Sequence, residues 1–413
     1  MKYGCIGEHL GHSFSKEIHN ALTDYEYEIR EIEKDKLSEF AEKKDFLAIN
    51  VTIPYKELIM PHMYEIDAHA KSIGAVNTVV NRGGLLYGYN TDFYGMSMLI
   101  EHAGVEISEK KVIILGTGGT SKTALAVASS LGAKDILRVS RTAREDAISY
   151  DELYKFHTDA DVIINTTPSG MFPNVFDTPV DVSLFPSLSG VIDAVYNPLR
   201  TKLILNAKER GIAAEGGLYM LVAQAVRASE IFIDTKYPEN TTDRIYSKIK
   251  CDKENIVLIG MPASGKSTVG ALLAKRLSRE LLDTDALIEE KAKMPIPEIF
   301  KKFGEEKFRE LETDAIRGAC AKTGVIIATG GGAVLRRQNV DALKENGRLY
   351  FIDRPLEALI PTENRPLSST KEAITARYNE RYGIYCKSAD VIIDADCDAL
   401  AVSEKIEKDF RNS

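Results

Sequence analysis

The sequence has no excess of positive charge and no pairing pattern among its cysteines. Lysine and arginine total 53 against 61 aspartate and glutamate residues, so the formal net charge is -8 and nothing favours binding to a phosphodiester backbone. The five cysteines are odd in number, widely spaced and without a C-x-x-C pair, which argues against a disulfide framework and a zinc site. We therefore expect no nucleic-acid partner and a reducing, cytoplasmic environment.

Long apolar runs are also lacking. No stretch approaches the roughly 18 apolar residues that cross a bilayer, and the N-terminus starts with a strand-like segment instead of a basic region followed by an apolar run. We expect neither export nor a membrane anchor. With 44% hydrophobic and 28% charged residues over 413 positions, the composition is that of a globular protein.

Strand and helix patterns alternate along the chain, which predicts an α/β fold with largely parallel sheets. Residues 236–254 are polar, lysine-rich and poor in aliphatic side chains, as is typical of a linker. We predict one domain over residues 1–247 and another over residues 255–413. The first domain is expected to have two lobes and a helix that returns to the first lobe, at residues 1–105, 106–215 and 216–235.

Two serines stand at the turn between the first strand and the first helix. They are Ser13 and Ser15 in "GHSFSKEIHN". Serine hydroxyls commonly cap the N-terminus of a helix. Hydroxyls and backbone N–H groups that point the same way can instead hold a small anion such as a carboxylate. The serines alone leave both interpretations open.

A glycine turn, "GTGGTSK", follows the apolar strand "KVIIL". It contains Gly116, Gly118 and Gly119, but Ser121 stands where a strict G-x-G-x-x-G motif has its third glycine. Such a turn between strand and helix is a moderately specific indication of dinucleotide binding, and tight packing is the alternative.

The next strand ends in "VSRTAR", which has no acidic residue at its tip. An acidic residue there would accept a hydrogen bond from the ribose 2'-hydroxyl of NAD, whereas arginines favour a 2'-phosphate. Arg141 and Arg144 therefore predict NADP. A solvated surface loop is the alternative.

Polar side chains end several strands of the first lobe. Lys56 follows Pro54 in "NVTIPYK", Asn77 lies in "GAVNT", and Asn90 and Asp92 lie in "GYNTD". A lysine after a strand is often only a solvated end. Side chains at strand ends can also converge on a cleft between lobes, and a lysine beside an aspartate suits proton transfer to a carbonyl that is reduced to an alcohol.

These segments occur in the order of the shikimate dehydrogenase family, which residues 1–235 resemble. The resemblance also includes "NTTPSGM", "DAVYNP" and "GGLYMLVAQA". It implies a substrate lobe over residues 1–105 and a Rossmann-like NADP lobe over residues 106–215. It further implies that Ser13 and Ser15 hold the substrate carboxylate and that Lys56 and Asp92 form the catalytic pair. The ring hydroxyls would be bound by Thr52, Asn77 and Gln224.

Two positions depart from this family. Lys16 stands where proline is usual, and Ser140 stands where the NADP motif usually has asparagine. Neither departure removes a chemical group that the reaction needs.

The second glycine turn, "GMPASGKST", fits the motif G-x-x-x-x-G-K-[ST] and lies between the strand "IVLI" and a helix. Its backbone N–H groups are expected to cradle the phosphates of ATP, with Lys266 at the outer phosphates and the Ser267 hydroxyl on Mg²⁺. The pattern is strong for nucleotide binding and says little about the acceptor. The expected ATP contacts from the motif are Gly260, Gly265, Lys266, Ser267 and Thr268.

Information on the acceptor lies further along the chain. In "LLDTDALIEE", Asp283 ends a strand and can hold the metal through water, which leaves Asp285 to accept a hydrogen bond from an alcohol. Arg309 and Glu312 are three apart on a helix, and a surface ion pair is the alternative explanation for them. The glycines of "ATGGGAV" allow backbone to approach a ligand, although a plain turn has the same spacing.

Residues 255–413 resemble shikimate kinase through these segments, taken in order. The resemblance implies that Asp285 accepts the proton of the attacking hydroxyl and that Arg309 and Arg381 clamp the substrate carboxylate. It also implies ring contacts from Gly331 and Gly332 and phosphate contacts from Arg365. The lid, "IPTENRPLSS", is shorter than usual and lacks the upstream arginine that commonly contacts the adenine.

Together the two halves predict a bifunctional enzyme that reduces 3-dehydroshikimate with NADPH and phosphorylates shikimate with ATP and Mg²⁺. Two alternatives are a quinate-preferring dehydrogenase that uses NAD and a regulator that binds shikimate and nucleotide without turnover. If the chain were such a regulator, we would expect Lys56, Asp92, Lys266 or Asp285 to be missing, and all four are present. The sequence leaves open whether the protein forms a homo-oligomer.

Overall fold

The computed structural model describes residues 1–8, 10, 14–359 and 370–412. The chain divides into two units, Met1–Ile249 and Lys250–Ser413. Among the described residues, no helix has both the length and the apolar character needed to span a bilayer.

The first lobe of the first unit contains a mixed six-stranded sheet. Its strands are β1 (Tyr3–Gly7), β2 (Tyr27–Glu31), β3 (Ala48–Val51), β4 (Glu65–Ile66), β5 (Thr78–Arg82) and β6 (Leu85–Tyr89), in the order β2-β1-β3-β5-β6-β4. Strand β5 runs antiparallel to β3 and β6, so this sheet is less parallel than the sequence predicted. The cause is a tight turn at Gly83 and Gly84, which both have positive φ, as a two-residue hairpin turn requires.

Helices cover this sheet and bury its apolar side chains. They are α1 (Ser15–Leu22), α2 (Leu37–Lys43), α3 (Tyr55–Leu58), α4 (Ala68–Ile73) and α5 (Asp92–His102). The core under α2 and α3 includes Ile6, Val51, Tyr55 and Leu86, all nearly inaccessible to solvent.

The second lobe is a six-stranded sheet in which all strands are parallel. Its strands are β7 (Lys111–Leu115), β8 (Asp135–Ser140), β9 (Ile148–Ser149), β10 (Val162–Asn165), β11 (Gly190–Asp193) and β12 (Ala213–Glu215), in the order β12-β11-β10-β7-β8-β9. The crossing helices are α6 (Gly119–Ser130), α7 (Tyr150–Phe156) and α8 (Lys202–Glu209). Central strands with both faces covered explain the continuous apolar runs "VIIL" and "VII".

Helix α9 (Leu218–Ile233) leaves the second lobe and packs against α1 and α5 of the first. Met220 and Ala223 of α9 share a buried cluster with Met96 and Leu99 of α5. The chain therefore forms most of the first lobe, then the second lobe, and returns with α9 to complete the first.

The stretch 236–254, which the sequence suggests is a linker, is largely helical instead. Helix α10 spans Thr241–Lys253, and the boundary between the two units falls inside it, after Ile249. Ile245 and Ile249 are buried with Phe14 and Ile18, and Tyr219 donates to Asp243 at 2.7 Å. The composition was misleading because two isoleucines four residues apart are enough to give one helix face an apolar contact.

The second unit is built on a five-stranded parallel sheet. Its strands are β13 (Asn255–Ile259), β14 (Leu281–Asp283), β15 (Ile326–Ala328), β16 (Gly347–Asp353) and β17 (Val391–Asp394), in the order β14-β15-β13-β16-β17. The helices are α11 (Lys266–Leu277), α12 (Thr284–Ala292), α13 (Ile296–Cys320), α14 (Arg337–Asn346), α15 (Lys371–Ser388) and α16 (Ala399–Arg411). Helix α13 is kinked at Gly304, whose φ of 80° is left-handed.

Candidate active sites

Lys56 and Asp92 are in direct contact in the first unit. Lys56 lies on α3 and Asp92 is the first residue of α5, and Lys56 Nζ lies 2.6 Å from Asp92 Oδ2. The side chains are 22% and 8% exposed, so the pair is sheltered but reachable from solvent. Two segments 36 residues apart thus supply an ammonium and a carboxylate to one point.

A buried hydrogen-bond network supports this pair. Asn77 Oδ1 accepts from the Thr91 N–H at 2.8 Å and from the Thr78 hydroxyl at 2.9 Å, while Asn77 Nδ2 donates to the Thr91 hydroxyl at 3.1 Å. Asn90 Oδ1 accepts from the Asp92 N–H at 3.0 Å, which fixes the first turn of α5. Thr78 and Thr91 were not singled out from the sequence, because threonines in strands and turns are common.

Two other residues expected around the substrate lie on segments next to these elements. Thr52 follows β3, and its methyl group stands 2.7 Å from the place where a Cβ on Gly7 would be. Gln224 of α9 packs against Gly95 of α5, three residues after Asp92. Thr52 and Gln224 are half-buried.

Of the two serines at the first turn, Ser15 is half-buried and opens α1. The N-cap residue of α1 is Phe14, which provides no capping side chain. Ser15 is therefore not the cap of this helix. Ser13 lies outside the described residues.

The glycine turn after β7 has room for a bound phosphate. Gly116 has a φ of 108°, and a Cβ there would stand 2.8 Å from the Thr166 hydroxyl, so only glycine fits. At Gly118 and Gly119 a Cβ would meet no described atom within 4 Å, and α6 begins directly at this open space. A helix N-terminus beside an open glycine turn suits the pyrophosphate of a dinucleotide. Residues of this turn therefore fit NADP.

Ser121, which replaces the third glycine of the strict motif, has a structural role here. Its side chain is buried, and its hydroxyl donates to the Gly116 carbonyl at 2.7 Å. The departure from the motif thus ties the start of α6 to the turn.

Arg141 and Arg144 follow the carboxyl end of β8, which pairs in parallel with β7. They therefore lie at the same edge of the sheet as the glycine turn, and both are exposed. The nearby acidic residue Asp146 forms an ion pair with Arg138. Ser140 is buried, and its hydroxyl donates to the Thr142 carbonyl.

Two further polar pairs of this unit were missed by sequence analysis. Glu57, next to Lys56, forms an ion pair with Lys122 of α6 at 2.7 Å, so the two lobes meet beside the Lys56–Asp92 pair. At the ends of β10 and β11, Asn165 donates to Asp193 at 2.9 Å. Burial raises the pKa of Asp193 to about 6. The signal in the sequence for Asn165 and Asp193 was that each is a polar residue at the end of an apolar strand.

In the second unit, the loop after β13 has the conformation of a phosphate-binding loop. Gly260 and Gly265 have φ values of 149° and 94°, and Gly265 directly precedes α11. Lys266 is 6% exposed, and its Nζ donates to the carbonyls of Gly260 and Met261 at 2.9 and 2.8 Å. Thr268 is an exposed residue of the first turn of α11. This loop fits the phosphates of ATP.

Ser267 and Asp283 are adjacent, as a shared metal ligand set requires. The Ser267 hydroxyl donates to Asp283 Oδ2 at 2.6 Å, while Asp283 Oδ1 accepts from the N–H of Asp285 and so caps α12. No group of three or more His, Cys, Asp or Glu side chains suited to a metal occurs among the described residues. Mg²⁺ does not need such a group of side chains, because it usually binds one or two protein oxygens together with phosphate and water. The hydroxyl and carboxylate fit Mg²⁺.

Asp285 faces the glycine loop that follows β15. A Cβ on Gly330 would lie 2.6 Å from Asp285 Oδ1, and a Cβ on Gly332 would lie 2.0 Å from Arg309 Nη1. The Gly331 carbonyl accepts from Arg381 Nη1 at 3.3 Å. Glycines are required here because two functional side chains approach the backbone closely.

Arg309 and Glu312 are not a surface ion pair. Their side chains are 8% and 1% exposed and lie 2.8 Å apart. Burial raises the pKa of Glu312, although Arg309 acts in the opposite direction. Asp285, Arg309, Glu312 and Arg381 thus all lie against the glycine loop. Arg365, expected at the phosphates, lies outside the described residues.

Comparisons with known proteins assign a family to each unit. The family model described as shikimate dehydrogenase substrate binding domain matches residues 5–79, and the one described as shikimate kinase matches residues 262–411. The shikimate dehydrogenase (NADP(+)) of Clostridium perfringens is 39% identical over 267 residues, which cover 60% of this chain and 98% of that relative. The chain belongs to the shikimate dehydrogenase family. Residues 262–411 are a shikimate kinase domain.

Solved shikimate dehydrogenases have the fold of the first unit. Shikimate dehydrogenase 1 from Peptoclostridium difficile is 38% identical with a TM-score of 0.56, and the match covers 60% of this chain and 98% of that one. A chorismate mutase/shikimate 5-dehydrogenase fusion protein from Clostridium acetobutylicum is also 38% identical, with a TM-score of 0.57 and coverages of 60% and 96%. The first unit, 249 of 413 residues, is also 60% of the chain.

Proposed function

We propose that this shikimate dehydrogenase, with its shikimate kinase domain, catalyses two consecutive reactions. The first unit reduces the ring ketone of 3-dehydroshikimate to the hydroxyl of shikimate with NADPH. The second unit phosphorylates that hydroxyl with ATP and Mg²⁺. The main support is that one chain has both the Lys56–Asp92 contact and the Ser267–Asp283 contact, each beside a glycine loop that fits the corresponding nucleotide.

In the reduction, NADPH supplies the hydride that adds to the ketone carbon. The ketone oxygen then needs a proton, and Lys56 is the donor that we propose, because its ammonium is held by Asp92 at 2.6 Å. Ser13 and Ser15 are proposed to bind the substrate carboxylate, and Thr52, Asn77 and Gln224 the ring hydroxyls. These contacts would hold the ring so that its ketone oxygen faces Lys56.

In the phosphorylation, ATP with Mg²⁺ supplies the phosphoryl group. Asp285 is proposed to accept the proton of the attacking hydroxyl, and Arg309 and Arg381 to bind the substrate carboxylate. In this structure Lys266 Nζ donates hydrogen bonds to the Gly260 and Met261 carbonyls. When nucleotide binds, the side chain would turn to the outer phosphates. Gly331 and Gly332 would leave room for the ring.

The cofactor preference gives a direct test of Arg141. Arg141→Ala should raise the KM for NADPH by about ten- to a hundredfold, because the charged hydrogen bonds to a 2'-phosphate are lost. The KM for NADH should change little. Steady-state kinetics with both cofactors checks this, and Arg138→Ala is the matched control, because Arg138 lies on β8, which Arg141 follows, and is paired with Asp146. Equal losses for both cofactors would contradict the assignment.

The function itself is tested with the purified full chain. Incubation with 3-dehydroshikimate and NADPH should yield shikimate, and addition of ATP and Mg²⁺ should yield shikimate 3-phosphate. Products are identified by mass spectrometry. A chain that binds both ligands without turnover would be the regulator considered above, and activity with quinate and NAD in place of these substrates would favour the other alternative.

We also propose that the enzyme acts in the cytoplasm and has no nucleic-acid partner. The net charge of -8 and the five cysteines, all of them free thiols in this structure, support both points.

A further inference from the structure

Arg309 of the kinase domain is already bound to two carboxylates of its own helix. Its Nη1 lies 2.8 Å from Glu312 Oε2, and its Nη2 lies 3.0 Å from Glu305 Oε1. The two partners differ in their surroundings, because the Glu312 side chain is 1% exposed and the Glu305 side chain is 54% exposed. Glu312 is a fixed part of the interior, whereas Glu305 reaches the guanidinium from solvent.

Arg381 and Arg377 are two further cations of this domain. Arg381 is 6% exposed, and no described residue accepts a hydrogen bond from its buried Nε. Arg377 precedes Arg381 by one turn of α15. The pKa of Arg377 is lowered by burial and by Arg381, while Glu305 acts in the opposite direction. The direct contact of the Glu305 carboxylate is with Arg309.

We infer that Glu305 is an internal competitor that occupies the carboxylate position of the kinase substrate and must leave Arg309 Nη2 when the substrate binds. The inference rests on the proposed function of Arg309 and Arg381 as the carboxylate clamp. A substrate carboxylate offers the same kind of acceptor oxygen as the Glu305 side chain, and Arg309 Nη2 can form a charge-assisted hydrogen bond with either. Glu312 keeps Nη1 in place during this exchange.

The exchange is feasible because Glu305 is exposed. An exposed ion pair contributes only a factor of about two to five to an equilibrium, so its loss weakens substrate binding modestly. In the absence of substrate, Glu305 neutralises part of the charge of Arg309. Glu305 therefore makes shikimate binding weaker than the bare arginines would allow.

The test is the affinity of the kinase site for shikimate, measured by calorimetric titration of the full chain without nucleotide and fitted with two sites, because the first unit is also proposed to bind shikimate. Glu305→Gln keeps the shape of the side chain and removes its charge, so we expect a Kd about two- to fivefold lower than in the unchanged protein. Glu305→Ala, as a second variant, should change the Kd in the same direction. In kinase assays the KM for shikimate should fall while kcat stays the same.

Glu310→Gln is the matched control. Glu310 lies on the same helix, is also 54% exposed, and pairs with Lys307 at 2.7 Å, away from Arg309. Its Kd for shikimate should be unchanged.

Two results would overturn the inference. An unchanged Kd in both Glu305 variants would mean that Glu305 does not compete with the substrate. A higher Kd would mean that Glu305 instead holds Arg309 in its binding orientation. If the unchanged protein shows a single shikimate site and no phosphorylation of shikimate with ATP and Mg²⁺, the proposed kinase function fails, and the inference fails with it.

Discussion

Lys56→Ala should lower kcat for reduction of 3-dehydroshikimate by about 10²-fold or more. The physical reason is that the ketone oxygen becomes negative as hydride arrives, and Lys56 is the only described lysine in contact with Asp92 at this site. NADPH should still bind, because the glycine turn and Arg141 belong to the other lobe. Stopped-flow measurement of NADPH oxidation, together with fluorescence titration of NADPH, separates the two effects.

Lys111→Ala is the matched control for this variant. Lys111 is 17% exposed and forms an ion pair with Asp159, so it resembles Lys56 in burial and charge. It starts β7, at the opposite end of that strand from the glycine turn, and its loss should leave kcat unchanged. Partial recovery of the Lys56→Ala variant by a small primary amine would support proton donation. An unchanged kcat in Lys56→Ala would refute the catalytic assignment.

Lys266→Ala should abolish phosphorylation of shikimate, with a loss of at least about 10²- to 10³-fold in kcat, while reduction of 3-dehydroshikimate continues. The charge that develops on the transferring phosphoryl group would lose the ammonium that we propose at the outer phosphates. Both activities are measured on one preparation, so the reductase reports that the chain is folded.

The control for Lys266 lies on the same helix. Lys275 is exposed in α11 and far from the loop, so Lys275→Ala should leave both activities intact. Persistent phosphorylation in Lys266→Ala would contradict the assignment. Loss of reduction as well, in a variant with unchanged circular dichroism, would mean that the two activities depend on each other.

The sequence was sufficient where a short motif also determines the local backbone. The turns at Gly116 and Gly260 both follow a parallel strand and precede a helix, as their spacing predicted. Asp283 ends β14 and reaches Ser267 on the helix after β13, although 16 residues separate them, because the carboxyl ends of all strands of a parallel sheet lie at one edge.

Features that depend on packing could not be predicted in the same way. The spacing of Arg309 and Glu312 is the same for a surface pair and a buried one, and in the fold the glycine loop after β15 lies against both side chains. The hairpin at Gly83 and Gly84 had a recognisable signal that was not used, namely two glycines between apolar runs. Roles of the other site residues stay predictions until the variants are measured.

Helix α10 determines where the chain can be divided. Its first part supplies Ile245 and Ile249 to the core of the dehydrogenase, and in its last turn the carbonyls of Cys251 and Lys253 accept from Arg279 and from the Gly324 N–H. Helix carbonyls at a C-terminus need such donors. Residues 241–253 are therefore part of both folds. A cut within them would separate core side chains from the dehydrogenase or hydrogen-bond acceptors from the kinase domain, so dividing the chain here should destabilise at least one of the two.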